Sequence, residues 1–128
     1  METIDKKTKE TAVIIGASHK PERYSNKAQK ALIGAGHKVV LFNPALKEVD
    51  GIKVFNHLSD ITEKIDTATL YIGPERLVPM IGDIVALKPK RVIANPGTEC
   101  AEMADACKKA GIEYIEACTL VMISTGQY

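Results

Sequence analysis

Tryptophan is missing from the 128-residue chain, and aromatic residues make up only 5% of it. Single-stranded nucleic acids are read on stacked aromatic side chains, and few are present here to build such a platform. An excess of either charge is missing too: 17 basic residues face 16 acidic ones, for a formal net charge of +1. That balance leaves no long-range field for a polyanion or an anionic membrane surface, so nucleic-acid and membrane partners are excluded and any anion site must be local. No apolar run approaches the ~20 residues of a membrane span, and residues 1–10 are polar and charged, unlike a signal peptide. Cysteine is sparse. Cys100, Cys107 and Cys118 are odd in number and form no Cys-x-x-Cys pair, which suits a reducing, cytoplasmic setting.

What remains is an ordinary globular composition, 45% hydrophobic and 26% charged. The length fits one domain, expected over residues 11–128 behind a polar arm at 1–10. Short β-branched apolar runs at 11–15, 39–42, 67–72 and 91–94 read as strands buried on both faces. A weaker strand is expected at 51–55 and a last one at 112–115. Between them, Ala28, Ala31, Leu32 and Ala35 recur at helical spacing with Lys27, Gln29 and Lys30 outside, and Gly36 marks the end. Ser59, Asp60 and Ile61 suggest a cap for a brief helix to Ile65, residues 75–87 a helix with Pro79 in its first turn, and Thr98 the cap of a helix whose inner face carries Cys100, Met103, Ala104 and Cys107. This alternation specifies an α/β fold: a Rossmann-like, doubly wound, mostly parallel sheet of five or six strands with helices on both faces. The apolar tail at 120–123 suits packing on the sheet or on a second subunit, so a protein partner or homo-oligomer stays open.

In such a sheet ligands bind beyond the carboxyl ends of the strands. Those ends are Gly16-Ala17-Ser18, Asn43-Pro44, Ile72-Gly73-Pro74 and Asn95-Pro96-Gly97. Their small and rigid residues keep the rim low, and Gly16 is expected to let the backbone approach a ligand. The first turn leads into a helix N-terminus, where free N–H groups and a partial positive charge suit a pyrophosphate. It is not the dinucleotide fingerprint: Gly16-Ala17-Ser18-His19-Lys20-Pro21 keeps the first glycine but has Ser18 and Pro21 where the others belong. Where an NAD site carries a carboxylate after the second strand, Asn43 stands. With Lys20, Arg23 and Lys47 nearby in sequence, this favours a phosphorylated ribose.

Val13-Ile14-Ile15-Gly16-Ala17-Ser18, followed by Pro21, Arg23 and Ser25, resembles the opening of the small stand-alone CoA-binding-domain proteins, relatives of the first domain of the succinyl-CoA synthetase α subunit. The resemblance continues through Asn43-Pro44, Gly51, Leu58-Ser59-Asp60-Ile61, Asp66, Ile72-Gly73-Pro74, Asn95-Pro96-Gly97 and Cys118. It implies coenzyme A or an acyl-CoA as ligand. Gly16, Ala17 and Ser18 would approach the diphosphate, Arg23 and Ser25 would help hold it, Asn43 and Pro44 would border the adenosine, and Ile72, Gly73 and Pro74 would line the pantetheine route. The chain departs from many relatives at Ala94-Asn95-Pro96, where they carry an aromatic and glutamine-rich stretch.

Relatives with ligase activity use a phosphorylated histidine from a further domain. His19 sits in the phosphate turn as a candidate donor to an anion, and His37 and His57 read as surface turn residues. No nucleophile, base and orienting group converge, and no metal-ligand cluster is evident, so no catalytic or metal-binding residue is assigned. Cys100 and Cys107 read as core thiols. Cys118 follows the last strand at the rim, where a CoA thiol could approach and, under an added oxidant that takes up the two electrons and two protons, form a mixed disulfide. Three readings stand: a non-catalytic CoA-binding module, an NAD(P)-binding regulatory or oxidoreductase domain, and a ligand-free assembly subunit.

Overall fold

The computed structural model describes residues 9–128, so the first eight residues of the expected polar arm lie outside it. Seven strands form one sheet: β1 (Thr11–Ile15), β2 (Lys38–Phe42), β3 (Glu48–Val49), β4 (Ile52–Phe55), β5 (Thr67–Leu70), β6 (Arg91–Ala94) and β7 (Glu113–Glu116), in the order β3-β4-β2-β1-β5-β6-β7. Every pairing is parallel except β3 with β4. The strand beyond the expected six is β3, which is two residues long and carries no period of its own. Its turn, Asp50-Gly51, has φ of 51° and 79°, the two left-handed residues of a tight hairpin.

Helices α1 (Tyr24–Gly34) and α5 (Thr119–Ser124) pack together, as do α3 (Ile81–Ala86) and α4 (Ala101–Ala110). Alternation along β1 divides the core between them. Val13 and Ile15 join Val92, Leu77, Ile84, Met103 and Cys107, whereas Ala12 and Ile14 join Leu32, Leu41 and Val54, with Ile123 packed against that second cluster. Burial pushes the Cys107 thiol up, which suits an unreactive core position. Of the apolar tail, Met122 is buried and Val121 is exposed.

Several local expectations change. The segment at 75–87 breaks into α2 (Pro74–Leu77), a 3₁₀ turn Val78–Met80 and α3, with Pro79 in the 3₁₀ turn. Only a 3₁₀ turn, Leu58–Asp60, forms near Ser59, because Ile61 is already extended. Thr98 does not cap α4. Its hydroxyl donates to Asn95 O at 2.8 Å, and the cap position falls on Cys100. Gln29, expected outside, is 1% exposed, and its amide donates to Asp50 on the β3–β4 turn. His37 is no surface turn residue: it is buried, its Nδ1 accepts the Glu10 N–H, and its ring lies 5.1 Å from that of Tyr128. Long-range partners that no local pattern encodes account for the burial of both Gln29 and His37.

Candidate functional site

The strand order reverses at β1. The chain passes from β1 to β2 on one side, β5 lies on the other, and the turns leaving β1 and β5 diverge over a crevice. A cavity of about 500 Å³ opens there. Gly16, Ala17, Ser18 and His19 line it from the first turn, Arg23, Tyr24 and Ser25 from the start of α1, and Tyr71, Ile72, Gly73 and Arg76 from the turn after β5 and from α2. Asn43, Ala45 and Leu46 close the β2 end, and Pro96, Gly97 and Thr98 the β6 end.

The first turn spends its amides unevenly. Gly16 N–H and Ala17 N–H both donate to Phe42 O, at 3.0 and 2.9 Å, so both are already paired within the sheet rim. The N–H groups of Ser18, His19, Tyr24 and Ser25 have no acceptor among the described residues. For Tyr24 and Ser25 this follows from their place in the first turn of a helix. That turn of α1 has no side-chain cap and no acidic residue, so the positive end of its dipole faces the crevice uncompensated. Two exposed guanidinium-bearing residues, Arg23 and Arg76, flank it, and the lining holds no carboxylate. The turn after β6 is different, because the Glu99 carboxylate already accepts the Gly97 N–H at 3.0 Å.

Of the residues singled out in the sequence, Gly16, Ala17, Ser18, Arg23, Ser25, Asn43, Ile72, Gly73, Pro96 and Gly97 come together around this cavity. Lys20, Pro44, Lys47 and Pro74 are exposed and stand outside its lining. Gly16 has φ +101°, and a Cβ there would meet Ile72 Cγ2 at 2.8 Å and Tyr71 O at 3.0 Å. The close approach of the β1 and β5 turns thus by itself requires glycine at this position. Asn43 is consumed locally: Nδ2 donates to Ala17 O at 2.8 Å, and Oδ1 accepts the Ala45 and Leu46 N–H groups. Asn95 is a brace beneath the rim, 2% exposed. Its Nδ2 donates to Thr69 Oγ1 and Leu70 O, and its Oδ1 accepts the Thr119 N–H.

Tyr24, Ala45, Leu46, Tyr71, Arg76 and Thr98 also line the cavity, without a sequence pattern that points to it. Arg76 carried no signal, because a basic residue in the last turn of the four-residue α2 simply suits the helix dipole. Tyr71 carried none either. It is half-buried, and its phenol is pushed up to about 12 by burial, against the opposing pull of the Thr69 and Thr119 hydroxyls. Cys118 is half-buried just before α5, near enough to Tyr71 that a thiolate there would raise the phenol further, but it does not line the cavity. Among the described residues no His, Cys, Asp and Glu group forms a metal-binding cluster, and no helix is long and apolar enough to cross a membrane.

Comparison with known proteins adds to this geometry. A family model described as a CoA binding domain matches residues 10–124. A crystal structure of an uncharacterized protein superposes with a TM-score of 0.90 at 38% identity, covering 95% of this chain and 100% of that one. The dinucleotide forming acetyl-coenzyme A synthetase 1 of Ca. Korarchaeum cryptofilum, solved in complex with phosphate and ADP, shares the fold: TM-score 0.73, 19% identity, 84% of this chain and 25% of that one. Uncharacterized protein YneT of Bacillus subtilis (strain 168) is 31% identical over 64 residues, which are 50% of this chain and 47% of YneT, about half the length of that relative.

Proposed function

The chain belongs to the CoA-binding-domain family, and from that premise we propose that it binds coenzyme A, free or acylated, in the crevice between the β1 and β5 turns without transforming it. One observation carries the reading: four unspent N–H groups, on Ser18, His19, Tyr24 and Ser25, gather at an uncapped helix N-terminus in the switch-point cavity. A diphosphate supplies the acceptors and the negative charge that such a cluster lacks. Arg23 and Arg76 neutralise the remaining phosphate charge. The adenosine then lies toward Asn43, Ala45 and Leu46, and the pantetheine runs past Ile72 and Gly73 toward Pro96, Gly97 and Thr98.

A nicotinamide dinucleotide is the weaker candidate. Its ribose hydroxyls need an acceptor after β2, and both ends of the Asn43 side chain are already engaged. A binding role is favoured over catalysis because the lining offers hydroxyls and one histidine, His19, but no thiol or carboxylate to complete a catalytic set.

The test is calorimetric titration of the purified, reduced protein with CoA, 3′-dephospho-CoA, NAD and NADP in one buffer. Binding of CoA, weakened without the 3′-phosphate, is the expected result. Preference for NAD or NADP, or binding of none of the four, would overturn the proposal.

A further inference from the structure

Two asparagines on different elements hold consecutive carbonyls of the first turn. Asn43 Nδ2 donates to Ala17 O at 2.8 Å, and Asn26 Nδ2 donates to Ser18 O at 2.8 Å. The peptide bonds are trans, so within each plane the N–H points opposite to the C=O. Fixing Ala17 O toward Asn43 therefore turns the Ser18 N–H away from Asn43. Fixing Ser18 O toward Asn26, which lies 1% exposed beneath the turn, turns the His19 N–H outward.

Asn26 is itself held. Its amide also reaches Asp50 Oδ2 at 3.4 Å, and Gln29 Nε2 donates to the same oxygen at 3.2 Å. Asp50 is placed for this by the left-handed turn between β3 and β4, where its φ is 51°. Meanwhile Asn26 Oδ1 and Gln29 Oε1 are buried without a partner among the described residues. A buried acceptor left unsatisfied is costly, and a leucine at 26 would remove that cost. The cost is offset by the bond that the amide makes to Ser18 O.

We infer that Asn26 and Asn43 are positioning residues for anion recognition, each dedicating one backbone N–H, His19 for Asn26 and Ser18 for Asn43, to the phosphates of the ligand. The inference rests on the reading of the cavity as a CoA site and adds the device that makes the turn receptive. Gly16 and Ala17 take no part, since Phe42 O consumes both of their amides.

Amide-resolved NMR of the full chain tests it. In the wild type, inorganic pyrophosphate and CoA should shift the Ser18 and His19 amides more than those of Gly16 and Ala17. In Asn26→Leu, CoA affinity should fall about tenfold, the value of one charge-assisted hydrogen bond, with the response lost at His19 and kept at Ser18. A folded Asn26→Leu protein with unchanged affinity and an unchanged His19 response would overturn the inference. So would a wild type that binds CoA without moving Ser18 and His19, a measurement that stands even if the variant does not fold. Failure of the wild type to bind CoA would remove the functional reading and this inference together.

Discussion

Gly16 and Tyr71 stand so close that a Cβ on the glycine would lie 3.0 Å from the tyrosine carbonyl oxygen, with Ile72 Cγ2 nearer still at 2.8 Å. The two turns that bound the crevice are thus packed backbone against backbone, and the Tyr71 N–H donates to Ile15 O at 2.8 Å just below. Because φ at Gly16 is +101° and the obstruction includes main chain, Gly16→Ala combines backbone strain with overpacking. We expect a loss of about 2–4 kcal/mol in urea denaturation. Stability unchanged within error would contradict the packing account.

Arg76 reaches the cavity from α2 and is exposed, so its replacement should leave the fold intact. Arg76→Ala is expected to weaken CoA binding by about 1 kcal/mol, and to reduce the salt dependence of affinity as well. Calorimetry at two salt concentrations distinguishes this from a residue that merely borders the crevice, for which both quantities would stay at their wild-type values.

Asn95 should behave in the opposite sense. Its side chain joins β5, β6 and the start of α5 from a position 2% exposed. Asn95→Ala would leave the Leu70 carbonyl and the Thr119 N–H without these partners. A loss of about 2–4 kcal/mol is expected from thermal or urea unfolding. A variant with wild-type stability but impaired CoA binding would instead return Asn95 to the ligand.

For Tyr71, burial raises the phenol from an ordinary value of 10.0 to about 12. Below pH 10 folded and unfolded chains both keep this proton, and its contribution to stability is complete. Between 10 and 12 the unfolded chain ionises while the folded one does not, so stability falls as pH rises through this interval. Tyr71→Phe should show a shallower decline than the wild type in urea midpoints taken from pH 9 to 11.5. Parallel curves would mean that the phenol titrates normally.

The major strands were legible because buried parallel strands need continuous apolar, β-branched runs, and residues 11–15, 39–42 and 91–94 supply them. The short strand β3 was not, since two residues carry no period, although Asp50-Gly51 is the dipeptide a tight hairpin prefers. Much of the cavity lining could be named from the glycine, proline and asparagine at strand ends, because the topology of a doubly wound sheet sends those ends to one rim. Arg76, Tyr71 and Tyr24 escaped that logic: they reach the cavity from a short helix, a strand edge and a helix start, and nothing in their neighbours announces it.

Composition and patterning alone determined the class of fold, which follows from periodicity, and the dipole of the helix after β1 is what makes the first turn the anion-binding part of the proposed site. Only the tertiary structure decided what each polar residue does there. Phe42 takes the Gly16 and Ala17 amides, Asn95 turns inward as a brace, and Asn26 and Asn43 orient the Ser18 and His19 amides. Whether a donor is spent or free depends on which group stands opposite it, and these partners lie 8 to 26 residues away in the chain.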